Sequence, residues 1–233
     1  MKQLFLACLA FILSFALAVG SRSSERDLYD FRWLDQDKKV YVLQNKEYVK
    51  KGSFYGDFSL LKGISSDYQD TSGFQLRTGH YFTEEWAFEL SFTDYNNKNN
   101  ATFENLQRIN GVVPFMRKIE QSYGGAVIWA PFYGKINTFN KIFYFDWYFG
   151  IGALAVKANS NAESAANPNS DAFKDEEFVG AMAKTGVKFH ASRNWHLALE
   201  LQNTYFKAHG PIPGTPKKLN TNTDIFLGIG FSF

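Results

Sequence analysis

The stretch "NTDIFLGIGFSF", residues 222–233, alternates. Ile225, Leu227, Ile229, Phe231 and Phe233 are apolar; between them stand Asp224, Gly228, Gly230 and Ser232, with Phe226 the one exception. A period of two is that of a strand with one greasy face and one small or polar face. In a soluble sandwich a turn or tail would normally follow such a strand. Here the aromatic end is the end of the sequence, so it is expected to occupy a place of its own.

The same alternation recurs upstream in seven segments: 53–61, 73–82, 86–95, 121–129, 143–153, 178–190 and 195–205. In the first, Phe54, Phe58 and Leu60 oppose Tyr55, Asp57 and Ser59. In the seventh, Trp195, Leu197, Leu199 and Leu201 oppose His196, Ala198, Glu200 and Gln202. The connections alternate too. Those after the second, fourth and sixth segments are short ("TEE", "APFYGKINTFN", "ASRN"), and the others are longer or more polar, up to "NNKNNATFENLQRINGVVPFMRKIE". Short turns at one end and long loops at the other are the habit of outer-membrane barrels. The fold class expected is all-β: an eight-stranded antiparallel transmembrane β-barrel over residues 53–233, with both termini in the periplasm.

The rest of the chain fits export. "MKQLFLACLAFILSFALAVG" (1–20) has one cation, Lys2, an apolar core and small residues at its end, which reads as a signal peptide. Cys8, the single cysteine, lies inside that core, so no disulfide or thiolate metal site is expected. Loss of Lys2 lowers the net charge from +2 to +1, which excludes the basic surface of a nucleic-acid binder. Aromatic content is high at 18%, while mean hydropathy is −0.28, as alternation dilutes apolarity. Residues 21–52 are charged and mixed, without a sustained period, and are expected to form a periplasmic N-terminal arm.

On the outward face, Trp86, Trp129 and Trp195 fall at the periplasmic ends of their segments and are expected to form an aromatic girdle at the membrane interface. Phe231 and Phe233 would extend that girdle and serve as the signal read by the barrel assembly machinery. A β-sandwich or a lipocalin-type barrel is the soluble alternative; girdle placement, loop asymmetry and the terminal Phe argue for the membrane.

The inward face carries Asp57, Arg77, Glu89, Asp146, Lys184, Lys188 and Glu200, with His196 nearby. An eight-stranded barrel is only wide enough for side chains to fill it, and charges there must pair. A plug of ion pairs is expected, with a polar conduit for small solutes or lipid as the alternative. Pairing Val187 with Leu197 would set Lys184 opposite Glu200 and Lys188 opposite His196. Catalysis is not expected. On small barrels it needs a nucleophile and base near the outer rim, where only His209 falls, with no adjacent Ser. The glycine pairs at 150/152 and 228/230 lie inside strands, not before helices, and no metal spacing or cofactor motif is visible. In the long connection between the third and fourth segments Phe103, Leu106, Ile109, Val113 and Met116 predict a short amphipathic helix interrupted by Gly111 and Pro114.

Two further stretches, "VYVLQNKEYVKKGSF" (40–54) and "WAPFYGKI" (129–136), resemble an outer-membrane β-barrel domain family of myxobacteria and Bdellovibrio-type predatory bacteria. The resemblance covers about Val40 to Phe233. Relatives in that family include components linked to adventurous gliding motility. It implies fold and location, and it implies a non-enzymatic envelope component with outer-membrane lipids around it and a homo-oligomer or larger envelope complex as its assembly.

Overall fold

Eight strands close into one antiparallel ring in which each pairs with its neighbours in sequence and the last returns to the first. The computed structural model describes residues 46–111, 113–138, 141–162, 173–210 and 215–233. The expected leader and residues 21–45 of the arm lie outside the described residues. The strands are β1 (Phe54–Gly63), β2 (Gln69–Tyr81), β3 (Trp86–Asn99), β4 (Arg117–Thr138), β5 (Lys141–Ser160), β6 (Lys174–His190), β7 (Trp195–Ala208) and β8 (Lys218–Ser232). A helix, α1 (Ala101–Asn110), joins β3 to β4. The end holding Phe54 and Phe233 is called the base, the other the rim.

The period of two sorts every strand. On β8 the run Ile225, Leu227, Ile229, Phe231 points out, while Asp224 and Phe226 are fully buried. Ile151 is 71% exposed and Val179 82%, whereas Asp57, Arg77 and Glu89 are buried. Such an inverted molecule is unstable in water, since each large apolar side chain left wet forgoes roughly 1.5–3 kcal/mol. Hydrocarbon around the ring removes that cost, and a closed ring leaves no strand edge unpaired inside it. The outward run from Ile225 to Phe233 also has the ~9–11 residues a tilted strand needs to cross a bilayer. The fold is a transmembrane barrel.

Closure answers the question raised by the terminal Phe. Phe233 and Phe54 exchange both backbone hydrogen bonds at 2.9 Å, which extends the β1–β8 ladder past Tyr55↔Ser232. Rings then cluster around the base: Phe54 with Phe233 (6.1 Å), Phe233 with Phe231 (6.3 Å), Phe231 with Trp195 (5.1 Å), and Trp86 with Trp129 (6.0 Å).

Two base hairpins are built alike. In "TEEW" the Thr83 hydroxyl accepts from the Trp86 N–H (3.0 Å); in "SRNW" the Ser192 hydroxyl accepts from the Trp195 N–H (3.2 Å). Each loop is closed by a strand-end N–H on the Trp carbonyl, from Phe82 and from Ala191. A hydroxyl bonding the backbone a few residues on is a local turn device.

Two expectations are corrected. The connection "APFYGKINTFN" is mostly strand: β4 runs on to Thr138 and pairs with β5 from Lys141. The pairing shifts between Trp129 and Phe132, so Ala130 and Pro131 together face Tyr148. This bulge inverts the parity and keeps Phe132 and Ile136 outside with Trp129. Trp129 is therefore not at a strand end, although it stays level with Trp86, its partner in the ladder. The second correction is the β6–β7 register: Val187 faces Leu199, Lys184 faces Gln202, Gly186 faces Glu200 and Lys188 faces Ala198. The slip is two residues, which leaves each side chain on its expected face.

At the rim, α1 begins at Asn100, whose side chain accepts from the Phe103 N–H (3.0 Å), and ends at Gly111 in the left-handed region (φ 62°). Phe103 is its buried residue, and Ile109 is 72% exposed.

Candidate functional site

The lumen is closed by charge. Arg77, from β2, reaches Asp57 Oδ2 on β1 at 3.0 Å and Glu200 Oε2 on β7 at 2.5 Å. Lys184, from β6, donates to Glu89 on β3 and lies 3.5 Å from Glu200 Oε2. Lys188 sits 3.5 Å from Asp57 Oδ2, with its ammonium over the Tyr55 ring at 3.7 Å. Two phenols complete the layer: Tyr55 donates to Glu89 Oε2 (2.7 Å) and Tyr148 to Glu200 Oε2 (2.6 Å). Three carboxylates and three cations thus meet on the barrel axis, all buried. Buried charges of this kind hold only when paired and hydrogen-bonded.

β4, β5 and β8 contribute no charge to this layer, and glycines on β8 and β6 leave room for it. At Gly230 a Cβ would fall on Asp57 Oδ1 and His196 Nε2. At Gly186 it would lie 2.5 Å from the Tyr148 oxygen and 2.7 Å from the Leu199 carbonyl. Glycine at these positions is therefore a matter of packing around the plug.

Below the plug, toward the base, lies a second cluster. The lead-in to β1 turns at Gly52 (φ 81°) and sends Lys50 into the lumen, where its Nζ is 2.7 Å from Asp146 Oδ1. His190 Nε2 is 2.7 Å from Asp146 Oδ2, and His196 Nε2 is 2.7 Å from Asp57 Oδ1. Tyr48 stacks on His190 at 4.8 Å. Between these groups a cavity of about 190 Å³ opens to the base, lined among others by Tyr81, Lys188, Arg193, His196, Ser232 and Phe233.

One arrangement there has the connectivity of a nucleophilic triad: Ser232 Oγ is 3.4 Å from His196 Nδ1, and His196 Nε2 meets Asp57. The chemistry does not follow. A general base needs its serine at about 2.6–3.2 Å, and acyl transfer needs free backbone donors for the oxyanion. The Ser232 N–H is taken by the Asn194 carbonyl (2.7 Å) and the Phe233 N–H by the Phe54 carbonyl (2.9 Å). Asp57 is already committed to Arg77. Among the described residues no group of three His, Cys, Asp or Glu side chains is placed to hold a metal ion.

No protein-family model matches the chain, and no curated protein does. Among solved structures it is similar to the N-terminal β-barrel domain of Pseudomonas aeruginosa OprF: 14% identity, TM-score 0.49, covering 78% of this chain and 98% of that one. It is also similar to the outer membrane protein OprG of Pseudomonas aeruginosa: 12% identity, TM-score 0.46, 81% and 99% covered. Neisserial surface protein A gives 19% identity, TM-score 0.41, 77% and 94% covered. The likeness is one of fold.

All seven charges singled out from the sequence lie in the lumen, but not in one group. Asp57, Arg77, Glu89, Lys184, Lys188 and Glu200 form the plug, while Asp146 belongs to the base cluster. Lys184 and Glu200, two rungs out of register, still meet because long side chains span the diagonal. Two members were missed. Lys50 lay in a segment without period, so nothing marked which way it points. Asp224 was on the inward face by parity; it is fully buried near the rim, where Tyr95 and Asn222 donate to its Oδ2 at 3.1 and 2.7 Å. Trp147, treated as mid-strand, packs on Phe132 at 6.1 Å in the base cluster of rings because β4 and β5 extend further than expected.

Proposed function

We propose that the chain is an outer-membrane barrel of the cell envelope, non-enzymatic, with a side-chain-filled lumen and both termini in the periplasm. It acts as a structural and interaction component, holding its outward apolar band in lipid and presenting its rim loops on the far side. The observation that carries this is the plug. Arg77 alone bridges carboxylates on β1 and β7, and Lys184 bridges β3 and β7, so six ionised groups fill the section through which a solute would pass. The girdle and the short base turns support the orientation. The family resemblance favours an assembly role, by self-association or within a larger envelope complex such as a motility machine.

Planar-bilayer recording on the purified, refolded protein tests the plug. No steady conductance is expected. Stable open steps that grow when Arg77 is replaced by alanine would instead assign the chain to the narrow-channel class.

A further inference from the structure

We propose that the β4–β5 hairpin, where it runs on past the base of the ring, lays its outer face against lipid in the headgroup layer of the leaflet on that side. The inference rests on the membrane reading above and on where the strands stop pairing with the ring. β3 and β4 pair down to Trp86↔Trp129, and β5 and β6 down to Tyr144↔His190. Beyond those rungs β4 and β5 go on pairing with each other as far as Thr138↔Lys141. The base turns between β2 and β3 and between β6 and β7 stay close to the ring, since each strand restarts within a few residues. The β4–β5 hairpin therefore projects from the base as a two-stranded tongue.

Its outer face continues the lipid-facing band without a break. The rungs Trp129↔Phe149, Phe132↔Trp147, Gly134↔Phe145 and Ile136↔Phe143 follow one another on that side. Rings run along it: Trp129 packs on Phe149 at 6.2 Å and Phe132 on Trp147 at 6.1 Å, while Phe145 lies over Gly134 and leaves no room for a Cβ there. The Trp147 indole N–H is satisfied by Thr185 Oγ1 at 2.9 Å. The bulge at Ala130–Pro131 is what keeps this face outward, because in an uninterrupted strand Phe132 and Ile136 would turn to the other side. That other side carries Tyr133, Lys135, Asn137 and Tyr144, with Ile142 near the tip. One face without charge, joined to the lipid-facing band and backed by a polar one, suits an apolar medium on one side and water on the other. Depth follows from the geometry. Phe132 is level with the rings of the base, and Ile136 lies about 13 Å further along the strand, or about 10 Å along the axis at a tilt of about 40°. The headgroup layer, about 5–8 Å thick on each side, takes up most of that distance. Hydrocarbon is excluded, since the far edge of β4 past Pro131 has no strand partner among the described residues and such an edge needs water. Aromatic rings favour the headgroup zone.

The test uses the full chain with its single cysteine removed (Cys8→Ser), refolded into phosphatidylcholine vesicles. One new cysteine at a time carries an NBD fluorophore: Ile136→Cys on the outer face of the tongue, Asn137→Cys on its inner face, and Leu90→Cys, exposed on the lipid-facing band of β3. Quenching is read with phospholipid spin-labelled at the headgroup and with phospholipid spin-labelled in mid-chain. Headgroup-labelled lipid is expected to quench Ile136→Cys several-fold more strongly than Asn137→Cys, and more strongly than mid-chain-labelled lipid does. Leu90→Cys should show the reverse order of the two lipids. Equal quenching at Ile136→Cys and Asn137→Cys would overturn the proposal, and so would stronger mid-chain than headgroup quenching at Ile136→Cys. An Ile136→Cys probe shielded from iodide, untouched by either lipid and altered by diluting the protein in the membrane would overturn it in favour of a second copy of the chain. Leu90→Cys distinguishes the two failures: if it too escapes both lipids, the membrane reading falls and takes the proposal with it.

Discussion

Replacing Lys184 by Met should destabilise the barrel more than replacing Glu89 by Leu, and the two changes together should be milder than either alone. The asymmetry comes from the partners left behind. Without Lys184, Glu89 keeps only the Tyr55 hydroxyl, and the plug holds three carboxylates against two cations. Without Glu89, Lys184 still has Glu200 at 3.5 Å. Each side chain is buried, so a single change is expected to cost about 3–5 kcal/mol, with Lys184→Met at the upper end. The double variant exchanges an ion pair for two apolar chains of similar volume and restores charge balance, so about 1–2 kcal/mol is expected, mostly from the orphaned Tyr55 hydroxyl. The coupling is then about 4 kcal/mol or more. Equilibrium urea unfolding in lipid vesicles, followed by tryptophan fluorescence, gives all four corners of the cycle. Coupling below about 0.5 kcal/mol, the scatter of independent sites, would show that the two groups do not share one buried network. Equal single effects would show that Glu200 is not a second anchor for Lys184.

Three other outcomes are expected. Deleting Phe233 should lower the yield of assembled barrel in cells while barely changing unfolding in vesicles, because the ring is 72% exposed and its burial contributes less than the roughly 1.5–3 kcal/mol of a buried one; equal yield in cells would remove its role as an assembly signal. Gly230→Ala should destabilise strongly, since its Cβ would displace Asp57 or His196, whereas Gly125→Ala, whose nearest neighbour is Phe88 at 3.4 Å on the lipid face, should be near neutral by the same unfolding assay. Lys50→Met should cost toward the lower end of about 3–5 kcal/mol, since His190 stays on Asp146, and should expose residues 47–52 to protease; unchanged protease resistance would argue that the lead-in is held by other contacts.

What the sequence made legible follows from the physics of alternation. Parity alone placed Asp57, Arg77, Glu89, Lys184 and Glu200 inside and Phe54, Leu76 and Leu227 outside, because a strand cannot turn one side chain without turning its neighbours. The register needed a different signal. A slip of two preserves parity, so the hydrophobic pattern is blind to it. The signal was present: "TEEW" and "SRNW" share a hydroxyl three residues before a Trp, and reading them as the same turn would have moved Lys184 opposite Gln202. The extension of β4 was hidden because Pro131 and Gly134 read as turn residues, and the bulge at Ala130–Pro131 breaks the period where the strand continues. Which charges pair was the least legible. Partners such as Arg77 and Glu200 lie far apart in sequence and meet only once the ring has closed.

The position of Lys50 shows why the barrel and the segment before it form one electrostatic unit. Around the plug and the base the strands carry four buried carboxylates, Asp57, Glu89, Asp146 and Glu200, but only three buried cations, Arg77, Lys184 and Lys188. The fourth cation arrives from outside the ring on the lead-in, 2.7 Å from Asp146. Its backbone is fixed from the other side: the Lys50 carbonyl accepts from both the backbone and the hydroxyl of Ser53, and the Gly52 N–H bonds the Tyr81 carbonyl. The lead-in is therefore placed by its own turn at Ser53 and by Tyr81, the last residue of β2, and it in turn completes the charge of β5. Ring closure and docking of the lead-in are for that reason expected to be cooperative. The buried charges of the plug and base balance only when both are in place.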